Sequence, residues 1–304
     1  MGRKLFPVLL AACLSVSLLA VGQVTLWTEI TATHVTESKT DGVIDWTQGW
    51  ILATGMAVPP QDSVSEAQGR LQAREAAIYK AYQRLAEIIE GVRVLGVASV
   101  RDLILEEDVL EAIVEAEVSK AQIVPELEEW IVPEKRFLFF FRQKGDWKEG
   151  EYHVTIQYNF RGELPMTVAA HSIEPAGTTD SQDYKATPFT GLIINALGVP
   201  LRTTLFLRLV DSDENEVAVV QGAVYVPSAA YQLSLGQISV ERAENDPRVG
   251  DHPLTIQVEG IGQDGHSLVI SQLSADLVRQ MVATSEILAP RSDTVIVVTS
   301  AVSP

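Results

Sequence analysis

Cysteine is all but missing from this chain: Cys13 is the only one in 304 residues, and it falls inside an apolar N-terminal run. Everything beyond it must fold without a disulfide and without thiolate chemistry. That lack does not point to a reducing compartment, because domains with sizeable cores manage without cross-links. Positive charge is also scarce. With 23 Lys and Arg against 40 Asp and Glu the net charge is −17, so phosphate backbones and anionic head groups are repelled; neither nucleic acid nor polybasic membrane attachment is expected. The five histidines, His34, His153, His171, His252 and His266, are scattered without ligand spacing, and no zinc site is expected from them. No Walker loop, Gly-x-Ser-x-Gly or His-Glu-x-x-His occurs. The chain is therefore read as a non-enzyme, with no catalytic residue, cofactor or metal ligand assigned.

What is present is a globular composition, 46% hydrophobic and 21% charged, over a length sufficient for two ordinary domains. Arg3 and Lys4 precede an uncharged run of 23 residues, Leu5 to Trp27, which reads as a secretory leader. Three fates stay open. Small residues at Ala20 and Gly22 suit cleavage before Gln23, which makes 1–22 a signal peptide; uncut, the run is long enough to span a bilayer. Leu10-Ala11-Ala12-Cys13 also resembles a lipobox, which would leave a lipid on Cys13. All three export the protein to the periplasm or outer membrane. Membrane contact is expected only through the leader or lipid, and the partners are other envelope proteins.

Residues 23–41 are polar and Thr-rich without periodicity and read as a tether. The first domain, 42–162, opens with the strand-forming run Trp50 to Val58, which Pro59-Pro60 stops. Ser63 and Glu66 form a capping box for a helix to about Glu90, whose apolar face is Leu71, Ile78, Tyr82, Leu85, Ile89 and Val92. Ala73, Ala77 and Ala81 make a row that another element could approach closely. Gly91 suits a left-handed helix end. Ser99 to Asp102 caps a second helix through Val118, and the acidic stretch from Glu106 to Glu134, where Lys120 is the only base, reads as a solvated face. Phe137–Phe141 and the alternating run Tyr152–Tyr158 are expected to pair as a hairpin. The result is an α+β fold, a βααββ two-layer sandwich.

Over the same stretch the residues Gly42-Val43-Ile44-Asp45-Trp46, Ala53-Thr54-Gly55, Arg74-Glu75-Ala76-Ala77, Ala81-Tyr82, Leu85 and Glu90-Gly91-Val92-Arg93-Val94 resemble the LPP-twenty family of bacterial envelope lipoproteins. That family is similar in turn to the N-terminal domain of flagellar assembly protein T. The resemblance implies an envelope α/β module and a role in outer-membrane or flagellar assembly. It brings no active site.

A Pro- and Thr-rich linker is expected at 163–190, followed by a second, strand-rich α+β domain at 191–302. Gly191–Ala196 is an unbroken apolar run, as in a strand buried on both faces. It is similar to a Gly-Leu-Ile-Val-Asp-Ala-Arg-Gly segment of larger relatives, with Asn195 and Leu197 in place of Asp and Arg. Strands are expected at Leu201–Val210, Glu216–Val226, Leu254–Val258, Ser267–Ile270 and Thr294–Val298, and a helix at Ser274–Val282.

Gly260-Ile261-Gly262-Gln263-Asp264-Gly265 fits the dinucleotide fingerprint, but a strand follows where a helix is needed, so a hairpin turn is the expectation. Asp211 to Asn215 resembles a calcium loop lacking its glycine and terminal glutamate, and also reads as a turn. The candidate partner surface is Phe137, Phe139, Phe140, Phe141 and Trp147, more bulk than one strand face requires. Function is read as protein–protein binding in the cell envelope, with a hydrolase using paired carboxylates or a calcium-stabilised binding module as alternatives.

Overall fold

The computed structural model describes residues 34–133, 135–137, 141–143, 145–172, 189–231, 240–284 and 294–299. The expected leader with Cys13, and Phe139 and Phe140, lie outside the described residues. In chain order the first half comprises β1 (Thr36–Lys39), β2 (Gly42–Asp45), β3 (Trp50–Ala57), helix α1 (Glu66–Glu90), β4 (Arg93–Leu95), β5 (Ala98–Ser99), α2 (Val100–Leu103), α3 (Glu107–Val118), β6 (Gln122–Ile123), β7 (Glu129–Ile131), β8 (Lys135–Phe137), β9 (Phe141–Gln143), β10 (Glu151–Asn159) and α4 (Leu164–Ser172). The second half comprises β11 (Gly191–Ala196), β12 (Phe206–Val210), β13 (Glu216–Gln221), β14 (Val224–Pro227), β15 (Pro253–Ile261), β16 (Leu268–Ile270), α5 (Gln272–Thr284) and β17 (Val295–Thr299). The architecture is α+β, with helices over an antiparallel sheet first and a strand-rich half second.

Two stretches read as connections belong to the fold. Thr36–Lys39, inside the expected tether, pairs antiparallel with β2 from Thr36↔Asp45 to Lys39↔Gly42. Leu164–Ser172, inside the expected linker, is helical and buries Leu164 and Val168. Neither is long enough to show a period.

The expected hairpin of Phe137–Phe141 with Tyr152–Tyr158 is corrected. β10 pairs along one edge with β3, from Tyr152↔Ala57 to Asn159↔Trp50, and along the other with β6 and β7, so both edges are filled. Phe137 and Phe141 belong instead to β8 and β9, which pair with each other at Phe137↔Phe141.

Helix α1 lies on this sheet through its small-residue row. Gly69, Ala73, Ala77, Ala81, Leu85, Ile88 and Ile89 are buried, whereas Leu71 of the expected apolar face is 55% exposed. The physical reason is close approach: a Cβ on Gly55 of β3 would stand 2.0 Å from the Ala77 carbonyl oxygen and 2.3 Å from the Ala81 nitrogen. Helix α3 packs against α1, and Ile78 and Tyr82 are half-buried. The N-cap is Ser65, which accepts from the Gln68 N–H at 3.2 Å; Ser63 is buried and instead donates to Gln72 Oε1 at 2.9 Å. Gly91 ends the helix at φ −87°, without a left-handed turn.

β11 lies between two parallel neighbours, β15 and β17, and its side chains are buried on both faces. Leu192, Ile194 and Ala196 join the main core, whereas Ile193 packs in a smaller cluster with Val224, Val226, Ala243, Val249, Ile296 and Val298. The stretch Glu216–Val226, expected as one strand, breaks at Gly222, whose φ of +71° disfavours a side chain. β13 before it pairs with β12; β14 after it pairs with β17. Those partners stand far apart in the order β14-β17-β11-β15-β16-β12, so the sheet rolls to bring them together.

The halves are joined. β4, from the first half, pairs with β12 at Phe206↔Leu95, and the Leu205 N–H donates to the Arg93 carbonyl at 2.9 Å. Trp46 meets Phe160 and Tyr225 edge-on, at 5.2 and 5.8 Å between ring centres. Arg93 reaches Glu37 at 3.1 and 2.6 Å and the Thr203 carbonyl at 3.0 Å. Accordingly one hydrophobic cluster runs through both halves. Among the described residues no helix is long and apolar enough to cross a membrane.

Candidate functional site

The first turns of α1 turn Glu66, Ala67, Arg70, Leu71 and Arg74 toward Tyr152 of β10, and these six residues line a groove of about 610 Å³. Tyr152 arrives there because strand alternation sends Tyr152, Val154, Ile156 and Tyr158 to the helix side of the sheet. At the groove's base Arg74 donates to both oxygens of Glu128, at 2.6 and 3.1 Å, and the Tyr152 hydroxyl donates to the same carboxylate at 2.5 Å. The Arg74 hydrogen bond, then that from Tyr152, holds the Glu128 carboxyl below its ordinary pKa, while Glu128 raises that of Arg74. Both stay charged near neutrality. Glu128 is thus a fixed acceptor and not a proton donor.

Arg70 differs from Arg74. Its guanidinium carbon stands 5.8 Å from the Tyr152 ring centre, a cation–π distance, and no carboxylate bonds to it among the described residues. Leu71 beside it is exposed. A cation whose guanidinium has no hydrogen-bonded carboxylate, next to an open apolar side chain, can recognise a carboxylate-bearing partner segment.

The aromatic residues expected to form a partner surface are placed differently from one another. Phe139 and Phe140 lie outside the described residues, and Phe137 and Phe141 are register partners in the β8–β9 hairpin. Trp147 is half-buried against α1, so close that a Cβ on Gly69 would come within 2.5 Å of its ring.

The acids of the two motif-like turns, Asp211 and Asp264, are engaged internally. Asp211 is 3% exposed and accepts from Arg279 at 2.7 Å and from the Asn215 and Asp213 N–H groups at 2.9 and 3.0 Å. Arg279 first, then the turn's own donors, bring its pKa down to about 2. These contacts make Asp211–Asn215 a turn between β12 and β13. Asp264 accepts from Ser267 and from the N–H groups of His266 and Ser267, at 2.9 and 2.8 Å for the latter two. Burial raises its pKa, but these hydrogen bonds outweigh that and set it at about 2. It sits in the turn between β15 and β16, so the Gly260–Gly265 fingerprint is a strand-to-strand turn. Asn195 donates to Gln257 Oε1 at 2.6 Å. Among the described residues no three His, Cys, Asp or Glu are placed to hold a metal ion.

Sequence reasoning missed Arg70, Glu128 and Tyr152 as neighbours, since the strands that bring them together lie far apart along the chain. It also assigned Glu117 to a solvated face. Glu117 is 2% exposed and accepts from Tyr158 at 2.5 Å and Lys120 at 2.9 Å.

Residues 191–301 match the family model for the second domain of Treponema pallidum Tp0624. This covers the strand-rich half from β11 to β17 and falls outside the Gly42–Val94 segment that resembles the LPP-twenty family. No curated protein matches the chain.

Proposed function

We propose that this protein is exported to the cell envelope and acts by binding other proteins, without catalysis of its own. The observation that carries this reading is the groove on α1, where Arg70 and Leu71 stand open while Arg74, Glu128 and Tyr152 are tied together beneath them. The strongly shifted carboxylates Asp211 and Asp264 support it from the other side, because each is already engaged by hydrogen bonds within the fold, Asp211 by Arg279 of α5 and its own turn, Asp264 by its own turn. A hydrolase would need two carboxylates open to one substrate, with pKa values moved apart. The resemblance of Gly42–Val94 to the LPP-twenty family supports a place in outer-membrane or flagellar assembly.

A photo-crosslinking residue at Leu71, introduced in the native host, tests this directly. A discrete adduct with another envelope protein, weakened about tenfold by Arg70→Glu, is expected. Absence of any adduct, or an adduct indifferent to Arg70→Glu, would overturn the groove's role; turnover of a substrate by the purified protein would overturn the non-enzymatic reading.

A further inference from the structure

The sheet of the first half has a second face, away from α1. Because Ile51, Ala53, Ile156 and Tyr158 are buried, alternation sends Trp50, Leu52, Gln157 and Asn159 to the opposite side. Asn159 is the register partner of Trp50, and Gln157 that of Gln122 on the adjoining β6. Together with Lys120 and Glu126, over an apolar floor at 123–125, they line a pocket of about 390 Å³.

Its chemistry is that of planar amides beside an indole. The side chains of Gln122 and Gln157 have no hydrogen-bond partner among the described residues. Asn159 uses its carbonyl oxygen, which accepts from the Arg161 N–H at 3.0 Å, and keeps its amide N–H groups free. Gln122 and Gln157 each present both donors and an acceptor and Asn159 adds its donors, the combination that reads hydroxyl groups, which themselves serve in both senses. Trp50 is 38% exposed and supplies apolar surface for a C–H face. Charge argues against an anion. Lys120 is neutralised by Glu117 at 2.9 Å and Glu163 at 2.6 Å, and Glu126 adds a negative charge at the rim.

We propose that this pocket binds a neutral oligosaccharide, with one or two sugar rings seated against Trp50 and hydrogen-bonded by Gln122, Gln157 and Asn159. Its volume lies within the range of roughly 300–1,000 Å³ usual for small-ligand sites. The pocket is on the other side of the sheet from the α1 groove, so the proposal stands or falls independently of the protein-binding reading.

Isothermal titration of the full chain with chitotriose and with maltotriose, and with an uncharged tripeptide as a third arm, tests it. Saturable binding of at least one sugar is expected, weakened about tenfold or more by Trp50→Ala and by Gln157→Ala. Gln122 is exposed, so Gln122→Ala gives a third variant that does not disturb the fold, checked by an unchanged melting temperature. The proposal is overturned if neither sugar binds saturably, if the three replacements leave sugar binding unchanged, or if only the tripeptide binds.

Discussion

A carboxylate in an apolar interior needs donors, and at the scale of single residues those donors decide what each acid can do. Glu117 draws on the Tyr158 hydroxyl, whose pKa is raised first by burial and then by Glu117 itself, so that it remains a protonated donor throughout the physiological range. Nothing in the acidic run around it marks Glu117 as buried, because Tyr158 lies 41 positions away. Asp211 carries a consequence for pH. Its folded pKa of about 2 is below the ordinary value of about 3.9, so its contribution to stability is complete above about pH 4 and is lost as pH falls through 2. Asp211→Asn should therefore destabilise the protein at neutral pH, and its deficit relative to the parent should shrink as the pH drops from 4 toward about 2. Urea unfolding across that interval measures it; a deficit independent of pH would contradict the assignment.

At the scale of elements, the sequence announced a strand, a proline stop and a long helix, and all three form at that place. Periodicity identifies residues that share a face; it does not say which of two faces goes down. Here the alanine row goes down, because Gly55 lets the helix backbone meet the strand, and the larger Leu71 is left outside. Gly55→Ala tests this. Its added methyl would overlap the Ala77 carbonyl and push the helix off the sheet, with an expected loss of about 1–3 kcal/mol in urea unfolding. A neutral substitution would show that the helix is free to slide. The short strands β4 and β5 and the helix α4 were illegible for a different reason: too few residues stand in each to establish a period.

For the whole molecule, the continuous core and the pairing of β4 with β12 tie the two halves into one unit. The intact chain should unfold in a single calorimetric transition. Arg93→Ala should lower its stability by about 2 kcal/mol, since it removes charged hydrogen bonds to Glu37 and Thr203, without splitting that transition. Two resolved transitions in the parent chain would show that the joint carries little. Local chemistry along the chain determined the α+β class, the breaks at Pro59-Pro60 and the turns at Asp211–Asn215 and Asp264-Gly265, because propensity, capping and turn preference act over a few residues. The tertiary structure alone decided which helix face is buried, that one bent segment reaches two distant strands of the rolled sheet, and that Arg70, Tyr152 and Glu128 meet. Those outcomes depend on contacts between residues far apart in sequence, and no short-range pattern encodes them.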